Sequence, residues 1–333
     1  MENLQNNSLE LSIIIPVYNC EKYLDFGFEK IKPIYSTGIS FEIIYVNDGS
    51  TDNSLEVLQR IQLENDFIKI ISQENQGSSG ARNTAIDVAK GKYIQFLDAD
   101  DKIEVEELIL ILKKAVDLDL DAICYRMDFI NELDEKIGEM NANTVTFDKI
   151  MSGSKALIEG YHPSSICVFL FKTEFLNANN LRITPKITHM DVEFTSRMML
   201  VCQRILFLDV VVYHYLQRQG SITKPKSKEK LMSFLYDEVL ISEMIKNTIE
   251  DNFDRQLINA IEKNYNSVVW NLLFRFLVKP KETDFEFKKH CLKELRAKKL
   301  YPIKGALKTS FQNKMRIIFN FEIFYKLILK IRS

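Results

Sequence analysis

Over the first two thirds of the chain, apolar residues come in short runs separated by polar turns. Over the last third they recur every three or four positions. The runs 11–17 (LSIIIPV), 41–46 (FEIIYV), 67–72 (FIKIIS) and 92–98 (KYIQFLD) have the length and turn-residue borders of buried strands. Helical spacing between them predicts helices over about 20–35, 54–65, 81–90 and 104–117, and 121–127 (DAICYRM) predicts a further strand. Residues 74–80 read as a Gly-rich loop leading into the third helix. Residues 128–160 read as an insertion or hairpin followed by a helix, and 205–216 as strand interrupted by Asp209 and His214.

Strands alternating with helices imply βαβ units: an α/β fold with a mostly parallel, Rossmann-like central sheet and flanking helices. Crossovers in such a sheet are right-handed. Ligands bind beyond the carboxyl ends of its strands. Three polar clusters follow apolar strands: Tyr18-Asn19, Asn47-Asp48-Gly49-Ser50 and Asp98-Ala99-Asp100-Asp101. All three are therefore expected on one rim. From about Lys226 the pattern becomes helical, and a boundary is expected within 223–230. The expected division is a polar tail at 1–10, a catalytic domain at 11–222 and a helical C-terminal region at 223–333.

Composition narrows the class. Hydrophobic residues make up 46% of the 333 and charged residues 27%, enough for a sizeable core. A net charge of -2 gives no reason to expect nucleic acid as a partner. Five scattered cysteines without a CxxC pair argue against a zinc site or disulfide framework and suit a reducing cytoplasm. The first ten residues lack the basic and apolar regions of a signal peptide, and no uncharged apolar run is long enough to span a bilayer.

Candidate chemistry lies in the turns. Carboxylates are hard ligands suited to Mg2+ or Mn2+, so Asp98 and Asp100 could hold a cation that bridges a diphosphate. The bland alternative is an acidic turn, with Asp101 capping the next helix. Asp48 ends its strand where an acceptor could take a nucleobase N–H; Asn47-Asp48-Gly49-Ser50 also reads as a plain tight turn, with Asp52 as helix cap. Arg82 follows small residues that admit close backbone approach, and could contact phosphate or base; a surface arginine is the alternative. Asp191, opening a helical pattern after Thr188-His189-Met190, is a candidate general base for deprotonating a hydroxyl, or merely an acid favoured at a helix start. His189 and Glu193 share i, i+4 spacing and could share a ligand, although a solvated face is the commoner meaning. Arg218 and Ser221 could close over a pyrophosphate, and His214 reads as a satisfied core histidine.

The order of these motifs says more than any one of them. Ser12–Asn19 (SIIIPVYN), Val46–Asp52 (VNDGSTD), Asn75-Gln-Gly with Gly80-Ala-Arg-Asn83, Asp98-Ala-Asp-Asp101 and His189–Phe194 (HMDVEF) resemble family-2 glycosyltransferases with the GT-A fold over about 11–222. That resemblance implies an inverting enzyme that uses a nucleotide sugar, commonly UDP-linked, with Mn2+ or Mg2+. It implies that Pro16, Tyr18 and Asp48 line the nucleoside pocket, with Arg82 near base or phosphate. Asp98 would hold the ribose or the metal's water shell, Asp100 would ligate the metal, and Asp191 would be the base. Asn47 stands where Asp is frequent. Met190 stands where Glu usually precedes the catalytic Asp, which removes a carboxylate near the acceptor. The processive relatives' QxxRW motif is not matched: the single tryptophan, Trp270, follows Asn-Ser-Val-Val, which favours one sugar added per binding event. The acceptor would be a glycan or a lipid-linked glycan of a bacterial surface polysaccharide. The rival readings are a non-catalytic nucleotide-sugar-binding or assembly protein on the same fold, and a nucleotidyltransferase, whose N-terminal Gly-rich phosphate loop is missing.

From Lys298 onward there are nine Lys or Arg residues and one acid, Glu322. Residues 308–333 interleave aromatic and aliphatic residues with these bases. They read as a basic amphipathic helix on an anionic membrane surface, or as a terminal helix packed on the core. The expected location is cytoplasmic, peripheral at the inner face of the cell membrane.

Overall fold

The computed structural model describes residues 9–140, 145–217, 227–279 and 281–332. In chain order the elements begin β1 (Leu11–Val17), α1 (Glu21–Ile31), β2 (Phe41–Asp48), α2 (Ser54–Leu63), β3 (Ile68–Gln73), α3 (Gly77–Val88) and β4 (Tyr93–Phe96). There follow β5 (Lys102–Ile103), α4 (Val105–Asp117), β6 (Ala122–Ile130), β7 (Lys136–Glu139), α5 (Gly153–Glu159), β8 (Phe169–Lys172), α6 (Thr173–Ala178), α7 (Met190–Val201) and β9 (Ile205–Leu216). The rest is helical: α8 (Lys228–Lys246), α9 (Arg255–Val278), α10 (Phe285–Ala297), α11 (Ser310–Asn320) and α12 (Glu322–Arg332). No helix among the described residues is long and apolar enough to cross a membrane.

The strands form one sheet in the order β3-β2-β1-β4-β8-β6-β9-β5, with β7 paired to β6. From β3 to β4 every pairing is parallel, with Val17 opposite Asn47 and Ile14 opposite Phe96. Beyond β4 the sheet is mixed: β8 runs antiparallel to β4 and β6, while β6 and β9 are parallel. The parallel half is the βαβ part legible from periodicity; the antiparallel pairings involve 122–172, where no helix separates β6 from β7, and the short β5 against β9.

Two compact units divide the chain. One holds the described residues of 1–156, 164–186 and 198–218, and the other those of 157–163, 187–197 and 219–333. The first unit's core is the sheet: Ile13, Ile14, Ile43, Ile44, Ile94 and Phe96 are fully buried. Its helices bury one stripe each, as Leu24, Phe28 and Ile31 do on α1 and Leu108, Ile111, Leu112 and Ala115 on α4. Below the sheet's amino end, Glu42 accepts from Ser12 Oγ and from Lys90 N, both at 2.6 Å, and Gly91 N donates to Ser12 Oγ at 2.8 Å. The second unit's helices start on explicit caps, with Ser227, Asp254, Asp284 and Thr309 each accepting from a first-turn amide.

Candidate active site

Because β1, β2 and β4 are parallel neighbours, their carboxyl ends share one rim. That is where Pro16 and Tyr18, Asp48, and the 98–101 turn lie, and β3 adds Gln73 beside Asp48. Tyr18 is exposed, while Asp48 is 2% exposed. Asp48 Oδ1 accepts from Gln73 Nε2 at 2.7 Å and from Gln76 N at 2.9 Å. The strand end is thus tied to the start of α3. Gly49 follows at φ +71°, and a Cβ there would lie 3.0 Å from Asn75 N, so the turn needs glycine for both conformation and space. Asn19 closes the rim by accepting from Thr51 N at 2.8 Å, and its own N–H donates to Ser50 Oγ at 3.1 Å.

The expected loop at 77–80 is instead the first turn of α3, which starts at Gly77. Gly-Ser-Ser-Gly resembles a loop in composition, yet nothing in it prevents a helix once Gly77 takes φ +78°. Starting four residues earlier carries Arg82 inward. It is 3% exposed and donates through Nη2 to Asp98 Oδ1. Neither the surface arginine nor a side chain reaching only for ligand describes it: Arg82 orients a carboxylate of the acidic turn.

The turn itself closes with Asp101 N donating to Asp98 O at 3.0 Å. Asp101 is not a cap; α4 begins four residues later, after Glu104. Its carboxylate is buried and accepts from Tyr213 Oη at 2.6 Å and Leu216 N at 2.8 Å. Tyr213 Oη also accepts from Asp98 N at 3.1 Å. Burial, then the neighbouring Asp98 and Asp100, push the Asp101 carboxyl well above the usual carboxylate range. Burial and Asp101 likewise raise the Tyr213 phenol. Tyr213 therefore bolts the acidic turn to β9, a role that periodicity gave no reason to assign. Its signal was position, since β9 runs parallel to β6 and ends near the acidic turn. Beneath the turn, Gly27 of α1 brings backbone close to Ala99 O, which a Cβ would meet at 3.1 Å.

Among the described residues, no group of three or more His, Cys, Asp or Glu could hold a metal ion. The donors available are Asp98 and Asp100, two hard carboxylates. That number suits a Mg2+-like ion, which binds one or two carboxylates and takes further ligands from substrate phosphates. Asp98 divides its charge with Arg82. Arg218 and Ser221 lie outside the described residues.

Asp191 sits in the first turn of α7, in a segment belonging to the second unit. The preceding loop is fixed to α8: Thr188 donates through N at 2.9 Å and Oγ1 at 2.7 Å to Asp237 Oδ2. His189 takes φ +56° and packs on Phe234, with ring centroids 4.2 Å apart. Burial lowers its pKa. Glu193 is 2% exposed and paired with Arg197, so the i, i+4 spacing with His189 does not make a solvated face. His214 was expected in the core; it is half-buried instead, and bonds to the exposed Glu104 Oε1 at 2.8 Å.

Comparison with known proteins gives the arrangement a family. Residues 12–174 match the model described as glycosyl transferase family 2. An uncharacterized glycosyltransferase of Escherichia coli, YibD, is 27% identical over 226 residues, which is 66% of this chain and 65% of that protein. The chain thus spans just under two thirds of that relative's length. The crystal structure of S. aureus TarS 1–349 in complex with UDP-GlcNAc shares the fold at TM-score 0.62 and 18% identity, over 97% of this chain and 91% of that one. A mannosyltransferase from Pyrobaculum calidifontis, solved with GDP-Man and Mn2+, matches at TM-score 0.52 and 14% identity, over 97% of this chain and 86% of that one. The mixed sheet with its flanking helices and helical C-terminal region is thus the GT-A architecture, and residues 12–174, just under half of the chain, are a glycosyl transferase family 2 region.

Proposed function

We propose that this glycosyltransferase moves a sugar from a nucleoside diphosphate donor, UDP-linked, to a glycan or lipid-linked acceptor, with inversion at the anomeric carbon. The observation that carries the reading is the single rim on which Asp48, Arg82, Asp98 and Asp100 meet. Pro16, Tyr18 and Asp48 form the nucleoside pocket, with Tyr18 exposed for stacking. Arg82, held at Asp98, supplies positive charge beside the diphosphate. Asp100, with Asp98 beside it, would hold an Mn2+ or Mg2+, which would supply Lewis-acid neutralisation of the leaving diphosphate. Arg218 and Ser221 belong to the same nucleotide site. The catalytic domain is 11–222 and the helical region 223–333.

Asp191 is the general base. It takes the proton from the acceptor hydroxyl as that oxygen attacks the anomeric carbon and the bond to the diphosphate breaks. It stands in the first turn of its helix, where the dipole favours an anion. One sugar is added per binding event, in bacterial surface polysaccharide synthesis. The work is cytoplasmic, with peripheral contact at the inner face of the cell membrane through 308–333.

The test is release of nucleoside diphosphate across a panel of nucleotide sugars, with and without Mn2+. The expected result is turnover with one donor, lost on chelation and restored by Mn2+. A melting temperature raised by a donor in a protein that never releases nucleoside diphosphate would favour the second reading, a non-catalytic binding protein, for which Met190 in place of Glu is the supporting observation.

A further inference from the structure

Helices α11 and α12 are apolar on two sides. The inner side is an anchor: Phe319, Tyr325 and Leu329 are fully buried, and Tyr325 Oη donates to Leu273 O at 2.6 Å. The outer side leaves large apolar side chains in solvent. Ile317 is 72% exposed, Phe321 66%, Ile323 81% and Leu327 53%. Packing on the core, the plain reading of this tail, accounts for the first face and not for the second.

Basic residues lie along the exposed face. Lys314 sits one turn before Ile317, and Lys330 lies one turn beyond Leu327. An open groove beside α11 is lined by Lys304, Arg316, Ile317 and Phe321. The one acid of this region is turned away from the face: Glu322 is held by Arg296 and, at 2.6 Å, by Lys326. Nothing negative on these helices offsets the lysines outside.

An exposed apolar face of this size is usually an interaction surface. Two occupants fit apolar contact, a second copy of the chain and a lipid surface, and charge separates them. A two-fold dimer would bring the same basic patches together, like against like. An anionic bilayer offers acyl chains to the isoleucines and phosphates to the lysines. We propose that α11 and α12 form a membrane-docking face that seats Ile317, Phe321, Ile323 and Leu327 in the headgroup layer of an anionic bilayer. This deepens the peripheral location given above and rests on it, and is independent of the sugar chemistry.

The test uses the full chain in flotation with vesicles of phosphatidylcholine alone or of phosphatidylcholine mixed with phosphatidylglycerol. The protein is expected to bind the anionic vesicles at low salt and to leave them as salt rises. Ile317→Asp with Ile323→Asp should weaken that binding at least about tenfold. Lys314→Glu with Lys330→Glu should remove the preference for phosphatidylglycerol. All four side chains point outward, so melting curves of both variants should match the parent. Equal or no binding to the two vesicles, or an aspartate pair that binds as well as the parent, overturns the proposal. So does sedimentation that shows a dimer dissolved by the aspartate pair, which would assign the face to a second copy. Nucleoside diphosphate release without lipid should be unchanged in both variants, so failure of docking and failure of the transferase reading are separate results.

Discussion

Asp98 joins two kinds of demand in one side chain. Its carboxylate pairs with a guanidinium that is nearly sealed from water, while about a third of its own surface stays open. Removing one partner of a buried ion pair is destabilising. Asp98→Ala should therefore cost about 3 kcal/mol of stability as well as activity, read by urea unfolding. Asp100→Ala should spare stability and remove only the Mn2+-dependent turnover. Asp191→Asn should abolish transfer while donor affinity, measured by calorimetry, stays near that of the parent; surviving turnover would remove Asp191 from the role of base.

Glu238 lies on α8, with its carboxylate near His189. Burial raises its carboxyl from 4.5 to about 8, against the opposing charge of Arg275. Its Oε2 is buried with no hydrogen-bond partner among the described residues, and Oε1 lies 3.9 Å from His189 Nε2. The folded state holds the proton more tightly than the unfolded chain. The stabilising contribution is thus complete below about pH 4.5 and lost as pH rises through about 8. At most about 5 kcal/mol is at stake across that interval. Glu238→Gln should flatten the fall in unfolding free energy between these pH values; an unaltered slope would mean that another group titrates.

At the scale of elements, Asp52 shows how one carboxylate can serve two helix starts. It was expected to cap α2; the N-cap there is Asn53, and Asp52, one residue before it, accepts from Ser54 N at 3.0 Å. Its Oδ2 accepts from Glu21 N, at the start of α1, at 3.2 Å. The two helix starts that flank the Tyr18 and Asp48 turns are thereby fixed to one carboxylate. Asp52→Ala should cost about 2 kcal/mol, twice a usual cap, whereas Asp52→Asn should retain much of it. Gly91, between α3 and β4, is constrained by space rather than by dihedral angle. A Cβ there would lie 2.3 Å from Ser12 N, so Gly91→Ala should destabilise by about 3 kcal/mol as the strand is pushed aside. A thermal melt that matched the parent would show that β1 can shift to admit the methyl.

At the scale of the whole molecule, the tail is both anchor and surface. Cutting the chain after Thr309 would remove Phe319, Tyr325 and Leu329 from the core of the second unit, together with the ring packing of Phe319 on Trp270. Such a truncation should lower the melting temperature by roughly 10 °C or more, so its partition between membrane and soluble fractions would report unfolding as much as docking. Outward-facing substitutions avoid that confusion.

Several features follow from the linear pattern alone. Period-two and unbroken apolar runs specify β1 to β4, and since parallel strands end on one side, the shared rim of Tyr18, Asp48 and the acidic turn follows as well. The order of the motifs between Ser12 and Asp101 points to the family whose model matches 12–174. Other features were decided only by three-dimensional packing, because they depend on which distant residues meet. Arg82 reads as a ligand-facing cation until the early start of α3 carries it against Asp98. Asp101 reads as a cap until β9, more than a hundred residues on, delivers Tyr213 to its carboxylate. The tail's apolar residues look alike in sequence; the neighbours they find decide that some are core and others lie in solvent. Local periodicity records what each segment must hide, while the partner that hides it, and what is left uncovered, is a property of the folded chain.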